Sequence, residues 1–575
     1  MTPGQVLRFR LAAALAASLL QTPPCWPDQG TTILEIQPGR TSETAPLPGT
    51  AGRQGIATLT NLNPEINSQF LLTLQAPGLA EALHYPIENP APVSQRLTLS
   101  HIDPGHLLID AGGRTVRCVL WPRDALEKAR RSPLAFAPWC DGLLYLRNTI
   151  RGNRTALEAT TEFLRDHVWH GEQIVAFVRN EFYQDAFMER GRAQPGAPTH
   201  TGALVSRSGP PPARMISTHG PREIEAPGMG LDVGGAGALL QGQWYAVVGL
   251  DGIHASVVQP GALAEGDSVA VGGGRGRGLD SVESEALVYL VAFDLAAYEI
   301  GFALGTEHPR LGWSTRAQAN IRSAQMPGPD GIASAAPLVR TGMVSPALLP
   351  RVVATFTGGF KREHGAFRYG TLANINHASH YGFVEQGVVF SRLNPGLSTL
   401  YVLNDGSVGM KTWARGDDRM LGRVRHARQN GVPLIERDPA GGQSTFGALV
   451  DAWGQGNWSG SADERLRTLR AGTCLIEHAG RQFLVYAYFS TATPRAMARV
   501  FKAFGCSYAM HLDMNALEHT YLALYRPVGD HMTVQHLVGQ MAVLDKHSGT
   551  TLLPRFLGFS DDRDFFYLMA RKGKP

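Results

Sequence analysis

Past its first twenty residues the sequence has no apolar run approaching the roughly 18 residues that a membrane-spanning helix needs. It also lacks any run of five basic residues, and its net charge is only +4 over 575 residues, so it carries no electrostatic footprint for nucleic acid. Cysteine is scarce: five residues, with no CxxC, which argues against a zinc ribbon or a thioredoxin-type motif. Hydrophobic residues make up 43% and charged residues 18%, a globular balance, and the length predicts two or three domains.

The chain opens with "MTPGQVLRFRLAAALAASLLQTPPCWP", in which Arg8 and Arg10 precede an apolar segment from Leu11 to Leu20. That is the pattern of an export signal over residues 1–28, too short to span a bilayer. A secreted or periplasmic protein with no transmembrane segment after signal removal is expected. Cys25, just after "QTPP", sits in a poor context for lipid attachment. The other four cysteines fall into two local pairs, Cys118 with Cys140 and Cys474 with Cys506. An oxidising compartment favours such pairing, and each closed loop would contribute about 3 kcal/mol.

Residues 29–55 are rich in Pro, Gly, Ser and Thr and read as a linker. A first domain is expected over 56–190, with short strands such as "RLTLSHI" and "HLLIDAGGRTVRCVLW" followed by helix. "TALEATTEFLRDHVW" carries a capping-box pattern at Thr155 and Glu158 and a stripe of Leu157, Thr161, Leu164 and Val168. "GEQIVAFVRNEFYQDAFMERG" continues helical to near Gly191. A second linker covers 191–225, and strands dominate 226–575. Two glycine-rich pieces, Asp232–Leu240 and Val271–Asp280, lack the strand–turn–helix context of a dinucleotide fingerprint and read as loops.

"STATPRAMARVFKAFG" is the clearest local signal. Thr493 is the expected N-cap and Pro494 the first helical residue. Met497, Val500, Phe501 and Phe504 form a stripe, and Gly505 stops the helix. Strands flank it, so a crossover joining neighbouring parallel strands is predicted. In the second strand, alternation places Tyr508, Met510, Leu512 and Met514 on one face, suited to the helix. Ser507, Ala509, His511, Asp513 and Asn515 fall on the other. The polar face lies at the C-terminal end of the strand, where sites in open α/β sheets gather. Glu518 and His519 follow just beyond. Two plainer readings stand beside a site: Asp513 caps a loop, and His511 is a satisfied interior histidine. No cofactor is expected; a divalent cation held by His511, Asp513 and Glu518 is the alternative, although the spacing matches neither an EF-hand nor HExxH.

Over roughly 285–530 the order of landmarks resembles the phosphodiester glycosidase domain family, which includes bacterial exopolysaccharide-associated proteins. "ATFTGGFKREHGAFRYG" resembles that family's "NGGFF" turn through Thr357, Gly358, Gly359 and Phe360. "YGFVEQGVVF" and "VLNDGSVGM" look like its glycine-flanked strand pair and its hairpin, and "NGVPLIERD" like its "gqPLv" segment. Arg470 falls on the arginine of "RTAIG", and "FGCSYAMHLDMNALEHT" resembles the segment ending "LDGGgSt". Thr357 replaces the family's Asn, Cys474 the glycine of "RTAIG", and Met514 and Asn515 the two glycines after the Asp.

The resemblance implies an α+β class with a mixed-sheet C-terminal domain behind a separate β-then-α domain. It also implies an exported hydrolase of a sugar phosphodiester or related glycosidic linkage in an envelope or exopolysaccharide glycan. Its ligand would be a carbohydrate or sugar phosphate. Asp513 would be base or nucleophile, His511 or Glu518 its acid partner, and Arg470 the phosphate clamp. The amides of Gly358 and Gly359 would supply oxyanion contacts, with Thr357, Asn515 and His519 lining the ligand. The alternative is a non-catalytic glycan-binding or polysaccharide-export accessory protein with a degenerate site.

Overall fold

The computed structural model describes the chain from Thr41 to Arg571, apart from residues 50–53, 148–154, 169–184, 192–204, 217–221, 265–277, 306–341, 361–380, 438–443, 451–465 and 529–530. It also leaves out the single positions 63, 65, 77, 78, 133, 236 and 392. The expected export signal, most of the second predicted helix and most of the second glycine-rich piece lie outside the described residues. The described residues are β-rich, 46% strand and 14% helix, which fits an α+β or mainly-β class.

Two apolar clusters form. The first draws on a six-stranded antiparallel sheet in the order Thr41–Leu47, Gly55–Asn61, Gln69–Gln75, Leu83–Glu88, Leu144–Arg147, Phe136–Trp139. Alternation drives it: Phe70, Leu72 and Leu74 are the buried residues of one strand and share a buried cluster with Leu107 and Ile109 of a three-stranded sheet. The strand Thr41–Leu47 lies in the stretch read as linker, where Ala45 and Leu47 are buried. The helix Ala156–His167 begins where the capping pattern puts it. Residues 185–187 near the end of the second predicted helix form a turn, and Arg190 makes a bridge to Ala286 rather than a last helical turn.

The second cluster draws on described residues from Ala213 to Met569, with Leu62 joining it from the first half. Its main sheet has eight strands in the order Tyr245–Ala246, Ile253–Val258, Val288–Asp294, Arg481–Ala492, Thr468–His478, Tyr508–Met514, Pro433–Glu436, Thr445–Phe446. Two five-stranded sheets pack with it. One contains Val352–Thr357, Leu522–Val528 and Phe565–Ala570, and the other Phe383–Glu385, Ser398–Leu403 and Val424–Gln429. The glycine-flanked pair turns at Gln386 and Gly387, both at positive φ (51° and 82°), as a two-residue hairpin requires.

The helix Pro494–Ala503 follows its local signals. The Thr493 hydroxyl accepts from the Ala496 amide at 3.3 Å, and Gly505 takes φ +75° past the last turn. What it connects differs from expectation. Arg481–Ala492 and Tyr508–Met514 are parallel to each other but not neighbours, because Thr468–His478 lies between and pairs antiparallel with both. The tight turn at Ala479 and Gly480 lays Thr468–His478 into the slot the crossover would otherwise have filled. Every strand ladder among the described residues is antiparallel, so the mixed sheet is replaced by an antiparallel one.

Both cysteine pairs lie at bridging distance, with Cα atoms 5.6 Å apart for Cys118–Cys140 and 5.8 Å for Cys474–Cys506. Non-reducing peptide mapping should recover these two pairs and no others. Replacing Cys474 and Cys506 together by Ser should cost about 3 kcal/mol in urea denaturation.

Buried titratable groups set the pH range of stability. Burial lifts the Glu385 carboxyl to about 8, although it accepts a hydrogen bond from the Leu304 amide at 3.0 Å. Burial lowers His254 to about 4 and His426 to about 3, and it holds His511 well below the usual histidine range. Glu385 binds its proton more tightly in the folded chain, so its stabilisation is complete below pH 4.5 and is lost as pH rises through about 8. The histidines act oppositely: their contribution is complete above pH 6.5 and fails as pH falls through about 4 and 3. Stability should therefore peak near neutrality. Glu385→Gln, which keeps an acceptor for Leu304, should abolish an alkaline loss on the order of 2 kcal/mol between pH 6.5 and 8.5. Urea curves at pH 6.5 and 8.5 test this, and an unchanged alkaline decline in the variant would reject it.

Candidate functional site

The strand Tyr508–Met514 is buried along its whole length. Opposite it the ladder slips: Gly472 faces His511, but Arg470 faces Met514, so three residues of one strand span two of its partner. This bulge inserts one residue between His511 and Met514 and breaks strict alternation. Met514 consequently shares a face with His511, and both meet Arg470, whose Nη1 lies 3.2 Å from Met514 Sδ and 3.5 Å from His511 Nε2. The helix lies on that same side. A Cβ on Gly472 would stand 2.9 Å from Met497 and Phe501, and Cys506 beyond the helix bridges to Cys474. The face expected to receive the helix instead carries Tyr508 against Thr412, 2.9 Å between hydroxyls.

The bulge aims Asp513 at a residue outside every sequence expectation. Asp513 Oδ2 accepts from Arg563 Nη1 at 2.6 Å, and its Oδ1 accepts from the Met514 amide at 2.8 Å. The pair is nearly sealed, with Asp513 4% and Arg563 2% exposed. Arg563 Nη2 lies 2.6 Å from His519 Nε2, while His519 Nδ1 lies 2.6 Å from the Met514 carbonyl oxygen. Guanidinium can only donate, so Nε2 accepts, and Nδ1 carries the proton and donates to Met514. Asp513, Arg563 and the half-buried neutral His519 thus form one chain of contacts at the end of the strand.

The "TGG" turn abuts it. The Thr357 hydroxyl donates to the His519 carbonyl oxygen at 2.6 Å. Gly358 and Gly359 are required sterically: a Cβ on the first would stand 2.6 Å from Asp564 Oδ2, and one on the second, at φ +137°, 2.9 Å from the Asn430 side chain. The Gly358 amide donates to the Asp564 carbonyl at 2.9 Å, so it is engaged within the fold instead of facing an oxyanion. Arg428 and Asp564 make a fully buried ion pair, Nε to Oδ2 2.6 Å, behind this turn. Asn430 fixes the bulge from the other side by donating to the His511 and Leu512 carbonyls.

The remaining expected residues divide. Arg470 is fully buried. It directs Nε to the Ala492 carbonyl at 2.7 Å and Nη2 to the Leu466 carbonyl at 3.3 Å, so it ties strand ends together. His511 is held neutral by burial first and by the Arg470 charge second, which removes it as an acid partner near pH 7. Glu518 Oε1 accepts from the Thr155 hydroxyl at 2.9 Å. Asn515 adopts φ +83°, the left-handed conformation that Asn tolerates better than other side-chain-bearing residues. Among the described residues, no three His, Cys, Asp or Glu side chains gather as a metal-binding set.

Arg563 and Asp564 lie in "GFSDDRDFFYLMA", where four consecutive charged residues interrupt an apolar stretch and are all buried. That interruption was the signal available in the sequence. The Tyr486 hydroxyl donates to the Thr520 carbonyl at 2.7 Å, next to His519, and burial pushes that hydroxyl up.

No protein-family model and no curated protein matches the chain. Among solved structures, the zebrafish N-acetylglucosamine-1-phosphodiester alpha-N-acetylglucosaminidase catalytic domain, auto-inhibited by its pro-peptide, aligns with a TM-score of 0.30 and 10% identity, over 67% of this chain and 96% of that one. A protein described as exported, from Burkholderia pseudomallei, aligns with a TM-score of 0.20 and 11% identity, over 49% of this chain and 74% of that one. Both likenesses are weak.

Proposed function

We propose that the protein is an exported hydrolase of a sugar phosphodiester or related glycosidic linkage, with Asp513, Arg563 and His519 as its reactive centre. The observation carrying this reading is the contact chain Asp513–Arg563–His519, a carboxylate, a guanidinium and a neutral imidazole in line at a strand end. The ordered sequence landmarks around Thr357, Arg470 and Asp513 support the reaction class, and the two cysteine pairs support export.

The chemistry follows from the charges. Entry requires the side chains over this nearly sealed pair to part; a phosphodiester anion then competes with Asp513 for Arg563, whose planar fork matches phosphate oxygens. Displaced from its ion pair, Asp513 becomes the base or nucleophile at the anomeric carbon. The C1–O bond breaks through an oxocarbenium-like state as water adds to C1 and gives its proton to Asp513, or as Asp513 adds first and water then displaces it, and the departing phosphate monoester keeps its charge against Arg563. Arg470 acts at one remove, by holding the strand ends on which Asp513 stands.

A second reading, a non-catalytic glycan-binding accessory, is favoured by one observation: the expected clamp Arg470 is directed at main-chain carbonyls. Oxidised protein incubated with a panel of sugar 1-phosphodiesters separates the two. Phosphomonoester release supports hydrolysis; no release from any member, alongside measurable glycan binding, supports the accessory role.

A further inference from the structure

Two points of the N-terminal half reach the rim of this site. Thr155, at the start of the helix Ala156–His167, donates its hydroxyl to Glu518 Oε1 at 2.9 Å across 363 residues of sequence. Asp185 accepts from the Thr491 hydroxyl at 2.8 Å and from Arg467 Nη2 at 2.8 Å. Arg467 also reaches Asp280 Oδ2 at 2.5 Å. These contacts flank the strand ends of the site. Thr468 next to Arg467 donates to Asn515 Oδ1 at 3.0 Å, and Ala492 next to Thr491 accepts from Arg470.

Glu518 itself stands one residue before His519, on the short turn Leu517–His519, and its carbonyl accepts from Arg555 Nη1 at 2.7 Å. The turn is therefore held by its main chain from one side and by the Glu518 carboxylate from the other. The second hold comes from a residue that the sequence assigns to a different domain.

We infer that the N-terminal half is built into the site and that Thr155 is a positioning residue, fixing Glu518 and through it the turn that carries His519. The inference rests on the hydrolase reading only for its kinetic consequence. The contact that carries it is geometric, and a valine at 155 removes the hydroxyl while keeping the branched shape.

The test uses the full chain in three forms: wild type, Thr155→Val and Thr155→Ser. Amide hydrogen exchange read by mass spectrometry over residues 515–521 should speed up roughly tenfold in Thr155→Val and return to the wild-type rate in Thr155→Ser. Wild-type exchange in Thr155→Val overturns the inference, whether or not any substrate is turned over. If wild type hydrolyses a sugar phosphodiester, Thr155→Val should also lower kcat roughly tenfold with KM within about twofold, rescued by Ser. Faster exchange with unchanged kcat would reduce Thr155 to a structural contact and overturn the positioning role. If wild type hydrolyses nothing, the hydrolase reading fails by itself, and the exchange measurement still decides whether Thr155 holds the turn.

Discussion

Asp513→Asn should lower turnover of a sugar 1-phosphodiester by roughly two to four orders of magnitude, the span expected for a base or nucleophile. The carboxamide keeps the size of the side chain and an oxygen that can accept from Arg563 or from the Met514 amide. It removes the negative charge, and with it both nucleophilic and basic function. Loss of a buried partner can also unfold the site, so the comparison needs Arg563→Met and the double variant. Arg563→Met strands a carboxylate that is 4% exposed and should cost about 3–5 kcal/mol. The double variant leaves no unpaired charge and should recover much of that stability while remaining inactive. Recovery of stability without activity separates the chemical role from the structural one. Turnover that survives Asp513→Asn unchanged in a well-folded variant would remove Asp513 from the reactive centre.

Arg428→Met should be among the most destabilising single changes in the chain, costing about 3–5 kcal/mol of the 5–15 kcal/mol typical of a folded domain. Both members of the Arg428–Asp564 pair are fully buried, so removing one leaves an unsolvated charge. Arg428 also donates to the Gln429 and Phe360 carbonyls, and its guanidinium carbon lies 4.6 Å from the Phe383 ring centroid. Its loss therefore removes the buried cation opposite Asp564 and one donor from each of two carbonyls. A paired Arg428→Met, Asp564→Leu variant should lose less than Arg428→Met alone, because the stranded carboxylate is gone. Urea denaturation of the three proteins measures the difference. A single variant within about 1 kcal/mol of wild type would mean that the pair is not holding the "TGG" turn. Since Gly358 and Asp564 are in contact, slower turnover at retained folding would also trace to this pair.

How far the sequence reaches is clear from particular residues. The helix Pro494–Ala503 was legible to the residue at its start and to within one residue at its end, where Phe504 is the cap and not a helical residue, because a cap, a proline at the first turn and a stopping glycine are local backbone preferences. The cysteine pairs were legible because each closes a short loop whose ends can hardly avoid each other. The burden of polar residues around Asp513 marked the strand end on which the proposed centre is built. Alternation failed there, because a single inserted residue reversed the faces of the last residues, and nothing within "MHLDMN" announces a bulge.

The pairing of charges belonged to the tertiary structure. Asp513 meets Arg563 across 50 residues and Arg428 meets Asp564 across 136, while the Thr155 hydroxyl reaches the Glu518 carboxylate across 363. By itself the sequence determined where backbone elements start and stop, which faces are apolar along regular strands, and which residues carry titratable groups near a strand end. Only the packed chain decided which cation answers which carboxylate. An ion pair in a sealed interior depends on what the fold brings within about 3 Å, and no short-range preference of the chain encodes that distance.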